Sequence, residues 1–238
     1  MNKNFYHLEL LPQDLTLLQA QNILEKHFET ALVGIDEAGR GPLAGPVVAA
    51  AVILKNGAKL PNLLNDSKKL TELQREKIFE DLPSCCEFYG IGEASAQEID
   101  EIGILNADFL AMRRALQYVV AQKRSSESSS TPQILEKGEL KILVDGNLYI
   151  REISEELQMP IIKGDGRVAC IAAASIFAKV HRDRLMRKFA EQFPQYGFEK
   201  HKGYGTKLHE SAICEFGLCP IHRRSFNTPH IKRVESRE

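Results

Sequence analysis

VGIDEAGRGPLAGPVVAAAVIL, residues 33–54, holds the decision about the fold. An apolar approach ends in two adjacent carboxylates, Asp36 and Glu37. A Gly-Arg-Gly-Pro step follows, and then a Val/Ala-rich run. Consecutive residues of a strand point to opposite faces, so one carboxylate must turn inward in a largely apolar strand. A charge buried there is costly unless a metal or another partner compensates it. The glycines do not make a dinucleotide loop, which needs a helix to open after them. Here Pro42 and Pro46 intervene and a strand follows. No G-x-x-x-x-G-K-[ST] loop exists either. Gly39 and Gly41 suit a close approach of backbone to a ligand instead. Amides beside Arg40 can meet a sugar hydroxyl and a phosphate, and a protein that separates RNA from DNA must find the 2′-OH.

Outward from this stretch, residues 13–29 predict an amphipathic helix with Leu17, Leu18, Ile23, Leu24 and Phe28 on its apolar face. Strands are expected at 32–36, 46–54 and 86–94, with short connections that favour antiparallel pairing. Between the second and third, Thr71 with Gln74 forms a capping-box start, and Pro83 is expected to close that helix. A helix over 105–123 leads into the polar, serine-rich RSSESSSTPQ (124–133), expected to be a mobile surface insertion. LKILVDG (140–146) predicts a buried strand, 150–158 a short helix, and PIIKGD (160–165) a further strand. An Ala-rich helix over 168–193 stops at Pro194, and a last helix near 207–216 ends at Gly217. Three strands followed by strands alternating with helices predict an α/β sandwich on a mixed sheet, antiparallel at first and parallel later.

The chain has 238 residues, 43% hydrophobic and 26% charged, with a net charge of −1. That is ample for a core, and no global basic field is present. Basic residues gather locally at 66–70, 199–207 and 221–226, and such patches can bind phosphate on a near-neutral molecule. No apolar run reaches transmembrane length, and the N-terminal residues lack the pattern of a signal peptide. The five cysteines follow no framework spacing, so reduced thiols and a cytoplasmic location are expected. Cys214, Cys219 and His222 lie close in sequence, but a fourth zinc ligand at a familiar spacing is missing.

Four carboxylates sit at strand ends: Asp36, Glu37, Asp145 and Asp165. Brought to one edge, they would oppose each other's ionisation unless divalent cations intervened. All-carboxylate ligands suit Mg²⁺ or Mn²⁺, and two such ions can clamp a phosphodiester. Taken singly, Asp145-Gly146 and Asp165-Gly166 also read as plain turns. Tyr204, in KHKGYGT (200–206), either stacks on a sugar or base or anchors its loop to the core.

The set GIDEAGRGPLAGPVV, NDSKKL, VDGN, KGD…AASIFAKVHRD, FPQYGFEKHKGYGT and CPIHRRSF resembles bacterial ribonuclease HII, the type 2 ribonuclease H, over roughly residues 32–226. The resemblance implies a ribonuclease H-like mixed five-stranded sheet flanked by helices, with a C-terminal helical extension. It divides the chain into an N-terminal helix (1–30), a catalytic domain (31–205) and a helical extension and tail (206–238). It implies cleavage of RNA in RNA–DNA hybrids and incision on the 5′ side of single ribonucleotides in duplex DNA, leaving 3′-hydroxyl and 5′-phosphate ends. By motif, Asp36, Glu37, Asp145 and Asp165 look like the catalytic, metal-binding carboxylates for Mg²⁺ or Mn²⁺. Asp183 is the alternative to Asp165. Gly39, Arg40 and Gly41 would read the 2′-OH through backbone groups, Tyr204 would stack on the following sugar, and Lys68 and Lys69 would hold a DNA phosphate. The partners implied are an RNA–DNA hybrid or a ribonucleotide-containing DNA duplex, and nothing demands more than a monomer.

Two other classes remain for comparison. A phosphotransferase of the actin and sugar-kinase architecture would need an Asp-x-Gly phosphate turn, where this chain has Asp36-Glu37-Ala38-Gly39. A silent nucleic-acid-binding module would need basic surface without the four carboxylates.

Overall fold

In the computed structural model the described residues are 11–12, 14–64, 67–127 and 140–226. Five strands form one sheet in the order β3-β2-β1-β4-β5: β1 Ala31–Ala38, β2 Val47–Leu54, β3 Cys86–Ala94, β4 Leu140–Asp145 and β5 Gln158–Ile161. β1 pairs antiparallel with β2, and β2 with β3. β1 pairs parallel with β4, and β4 with β5. The sheet is therefore mixed, antiparallel at one side and parallel at the other, as the sequence predicts.

The helices are α1 Leu17–Phe28, α2 Glu72–Cys85, α3 Ala96–Ile102, α4 Ile104–Glu127, α5 Ala169–Gln192, α6 Phe198–His201 and α7 Lys207–Phe216. On one face of the sheet, Leu32, Ala50, Val52 and Leu143 pack under α1, α2 and the apolar half of α5. On the other, Val33, Ile35, Ala49, Ala51 and Ile142 pack under α4. All eight residues of β2 are buried, because both of its faces are covered and both of its edges are paired. Gly34 lets α5 lie against β1: a Cβ there would stand 2.3 Å from the carbonyl carbon of Cys170. This contact sets α5 across β1, where the carboxylates are.

Several boundaries differ from the sequence reading, each for a local reason. Pro83 lies inside α2 rather than closing it, since Ile78, Leu82 and Cys85 keep the last turn packed. Residues 150–157 form turns and a 3₁₀ turn (Glu155–Leu157) instead of a helix, and Gln158 already belongs to β5. The fifth strand ends at Ile161, because Lys163 turns left-handed (φ 56) and starts a 3₁₀ turn over Gly164–Gly166. The serine-rich stretch begins inside α4, which runs on through 124–127, and 128–133 lie outside the described residues. α3, with a full capping box from Ser95 and Glu98, and the one-turn α6 were not expected.

Beyond α5 a small second core gathers Ala44, Met186, Tyr196, Phe198, Ala212 and Cys219. It joins the C-terminal helices to the loop after β1. Among the described residues no helix is long and apolar enough to cross a membrane. All five cysteines are free thiols.

Candidate active site

The parallel pair β1 and β4 places the site. Their register matches Ile35 with Val144, so Asp36 lies beside Asp145, the last residue of β4. Asp36 and Glu37 themselves sit inside β1, still paired with β2, rather than at its end. The left-handed Lys163 then folds the chain back so that the Asp165 amide donates to Asp145 Oδ1 at 3.2 Å. One carboxylate oxygen from each of Asp36, Asp145 and Asp165 lies within 4.8 Å of the others. Asp36 and Asp165 are buried and Asp145 is half-buried.

Asp36 faces α5. It accepts from Ser175 and from the amide of Glu37, at 2.7 Å for the latter. Burial, then the charges of Glu37 and Asp145, raise its carboxyl well above the usual carboxylate range. Glu37 points to the opposite side of β1, toward α4, as strand alternation requires. It is not one of the three clustered aspartates but lines the same cavity. Both faces of the strand are covered by helices, so Asp36 is buried and Glu37 only partly exposed. Asp183, the alternative, lies within α5 and is held by Lys179 at 2.6 Å and Arg75 at 4.0 Å. It stands apart from the cluster.

A cavity of about 220 Å³ opens over these groups, lined by Asp36, Glu37, Asp145, Gly39–Gly41 and Tyr204 among others. Gly39 has φ +99, and a Cβ on it would stand 2.0 Å from Arg182 Nε, so only glycine fits. A Cβ on Gly41 would project toward Tyr204, 3.8 Å from its Cε1. Tyr204 is 46% exposed and lines the cavity rather than being buried as an anchor. Its loop is tied to the glycine loop by the Leu43 amide, which donates to the Gly203 carbonyl at 2.8 Å. Lys69 is exposed near Gly166. Lys68 shares the 3₁₀ turn Ser67–Lys69, and its side chain lies outside the described residues.

Four lining or supporting residues escaped the sequence reading. Ser175 and Ser67 share a hydroxyl hydrogen bond of 2.8 Å beside Asp36. Lys179 also lines the cavity. Asp108 of α4 is buried 3.5 Å from Arg40 Nε, and burial and the Glu37 charge push its carboxyl up to about 8. The one signal available for Ser175 is a lone hydroxyl in the Ala-rich run CIAAASIFA.

The oxygen-only donor set, the close spacing and the burial of Asp36 among like charges all fit a divalent cation. The family model described as Ribonuclease HII matches residues 33–229 of this chain. The chain belongs to the ribonuclease HII family. A Ribonuclease HII of Fusobacterium nucleatum is 50% identical over 196 residues, covering 82% of this chain and 85% of that one. That of Syntrophotalea carbinolica is 46% identical over 221 residues, covering 92% and 96%. The solved ribonuclease H2 of Pyrococcus horikoshii is 26% identical with a TM-score of 0.58, covering 87% of this chain and 98% of its own. As a member of the family, the protein is a metal-dependent endoribonuclease with a ribonuclease H-like fold.

Proposed function

We propose that the protein cleaves RNA within RNA–DNA hybrids and incises on the 5′ side of single ribonucleotides in duplex DNA. Membership of the ribonuclease HII family supports endoribonuclease action on hybrids. The observation that carries the finer part is the shared cavity: Asp36, Glu37 and Asp145 open onto the same space as Gly39–Gly41 and Tyr204. A hydroxyl sensor and a hydrolytic centre that share one cavity couple recognition of a ribose to cutting beside it.

Asp36, Asp145 and Asp165, with Glu37 from the opposite side of β1, would hold Mg²⁺ or Mn²⁺. When bound, two such ions supply an activated water and stabilise the leaving oxygen, which leaves 3′-hydroxyl and 5′-phosphate ends. Amides of the Gly39–Gly41 loop would bond the 2′-OH, which DNA lacks. Tyr204 would stack on the next sugar, and a deoxyribose accepts the ring more closely than a ribose does. Lys68 and Lys69 would hold a phosphate and carry no sequence information.

The decisive assay uses labelled duplex DNA containing one ribonucleotide, with Mg²⁺ or Mn²⁺. A single incision 5′ of that nucleotide is expected. Absence of cleavage with both metals overturns the proposal.

A further inference from the structure

Arg223 follows α7, and its side chain is fully buried. Its guanidinium bonds three backbone carbonyls. Nε donates to Gly45 at 2.9 Å, Nη1 to Arg40 at 3.0 Å and Nη2 to Gly39 at 2.6 Å. Its own amide donates to the Leu43 carbonyl at 2.9 Å, and the Phe226 ring lies 5.1 Å from the guanidinium carbon. A buried cation held by carbonyls alone is costly, and an apolar residue would fill the space at no such cost. What arginine adds is a rigid, planar fork of donors.

The fork fixes the direction of two consecutive peptide units. No peptide bond among the described residues is cis. In a planar trans unit the carbonyl and the following amide point in opposite directions. The Gly39 and Arg40 carbonyls face Arg223, so the amides of Arg40 and Gly41 face away from it. The Gly39–Gly41 loop lines the cavity together with Asp36 and Asp145, and Arg223 is not among the residues that line it. The nearby cation also polarises both units, which strengthens their amides as donors.

We infer that Arg223 is a positioning residue for ribonucleotide recognition: it pins the Gly39 and Arg40 carbonyls so that the next two amides are presented to a 2′-hydroxyl. The inference rests on the function proposed above. Arg182 supports the same loop from α5, donating to the carbonyls of Pro46, Ala44 and Lys202 at 2.9, 3.1 and 3.0 Å. It packs against Gly39 but spends these hydrogen bonds on other carbonyls, so the bonds to the Gly39 and Arg40 carbonyls come from Arg223.

The test measures binding by the full chain without divalent cation, so that nothing is cut. The probes are a DNA duplex with one ribonucleotide and the all-DNA duplex of the same sequence. Wild type should favour the first. Arg223→Lys, which keeps charge but not the fork, should lower that preference about 3- to 10-fold, the worth of one hydrogen bond to a hydroxyl. Arg223→Ala should lower it at least as far, and millimolar guanidinium should restore it. A preference unchanged in folded Arg223→Lys or Arg223→Ala overturns the inference while leaving the proposed function intact. No preference in wild type overturns both. Should the variants not fold, hydrogen exchange on the wild-type chain tests the inference independently. The Arg40 and Gly41 amides should exchange quickly and become protected only with the ribonucleotide duplex. Protection before any duplex is added overturns the inference.

Discussion

At the scale of single residues, Asp145 links the two halves of the acidic cluster. It neighbours Asp36 across the parallel pair and accepts from the Asp165 amide. Asp145→Asn should reduce cleavage by a factor of about 100 or more, since a neutral amide is a poor ligand for a hard cation. The same change should raise the stability of the metal-free protein by about 1 kcal/mol, because it removes a like charge beside buried Asp36. Paired measurements of cleavage and thermal unfolding check both; full activity in the variant would remove Asp145 from the metal site. Tyr204 is the second residue with a separable role. Tyr204→Ala should lose chiefly the preference for a lone ribonucleotide over a continuous hybrid, and an unchanged ratio of the two rates rejects stacking. Sequence located both residues because each sits in a short, distinctive motif. Asp108 stayed hidden, and Arg223 was read only as part of the basic cluster 221–226, whereas the structure buries it; both roles come from contacts made by residues far apart in the chain.

At the scale of elements, the C-terminal helices are joined by a chain of neutral imidazoles. The Cys219 amide donates to His222 Nδ1 at 2.9 Å, which leaves the proton of His222 on Nε2. That Nε2 meets His209 Nε2 at 3.0 Å, and His209 Nδ1 donates in turn to the Tyr204 carbonyl at 3.0 Å. Burial lowers both histidines to about 4, from an ordinary value of 6.5. The unfolded chain therefore binds more protons between those values. The stability contributed by the neutral pair is complete above about pH 6.5 and is lost as pH falls toward about 4. His222→Gln should flatten this acid limb at a cost of about 1 kcal/mol near neutrality. Denaturant unfolding at several pH values checks it, and an equally steep limb in the variant would place the effect elsewhere. This cluster also accounts for Cys219 and His222, whose closeness in sequence first suggests a metal. The helix α7 was legible from its periodicity and from Gly217, and β5 from its apolar run, but not where β5 ends, because the left turn at Lys163 leaves no mark in the sequence.

At the scale of the whole molecule, the sheet gathers negative charge at one edge of a chain whose net charge is only −1. A divalent cation should therefore stabilise the entire fold. Saturating Mg²⁺ or Mn²⁺, at about 100 times its dissociation constant, should add about 2.7 kcal/mol. The cation must displace the proton that burial favours on Asp36, so the gain should grow with rising pH. Thermal melts with and without metal at about pH 6 and about pH 8 check both statements. A shift that is equal at the two pH values, or absent, counts against the cluster as the binding site.

Sequence by itself determined the mixed sheet, the three early strands, the long Ala-rich helix and the candidate carboxylates. Those features depend on local periodicity and on short motifs, which neighbouring residues suffice to express. Tertiary structure decided which aspartate approaches the other two. Asp165 and Asp183 both follow plausible motifs, but only the fold-back after β5 brings Asp165 to Asp145, while α5 commits Asp183 to Lys179 and Arg75. It also decided that the glycine loop rests on two buried arginines, Arg182 and Arg223. Both outcomes depend on distances between segments that are remote along the chain, and no local pattern encodes such a distance.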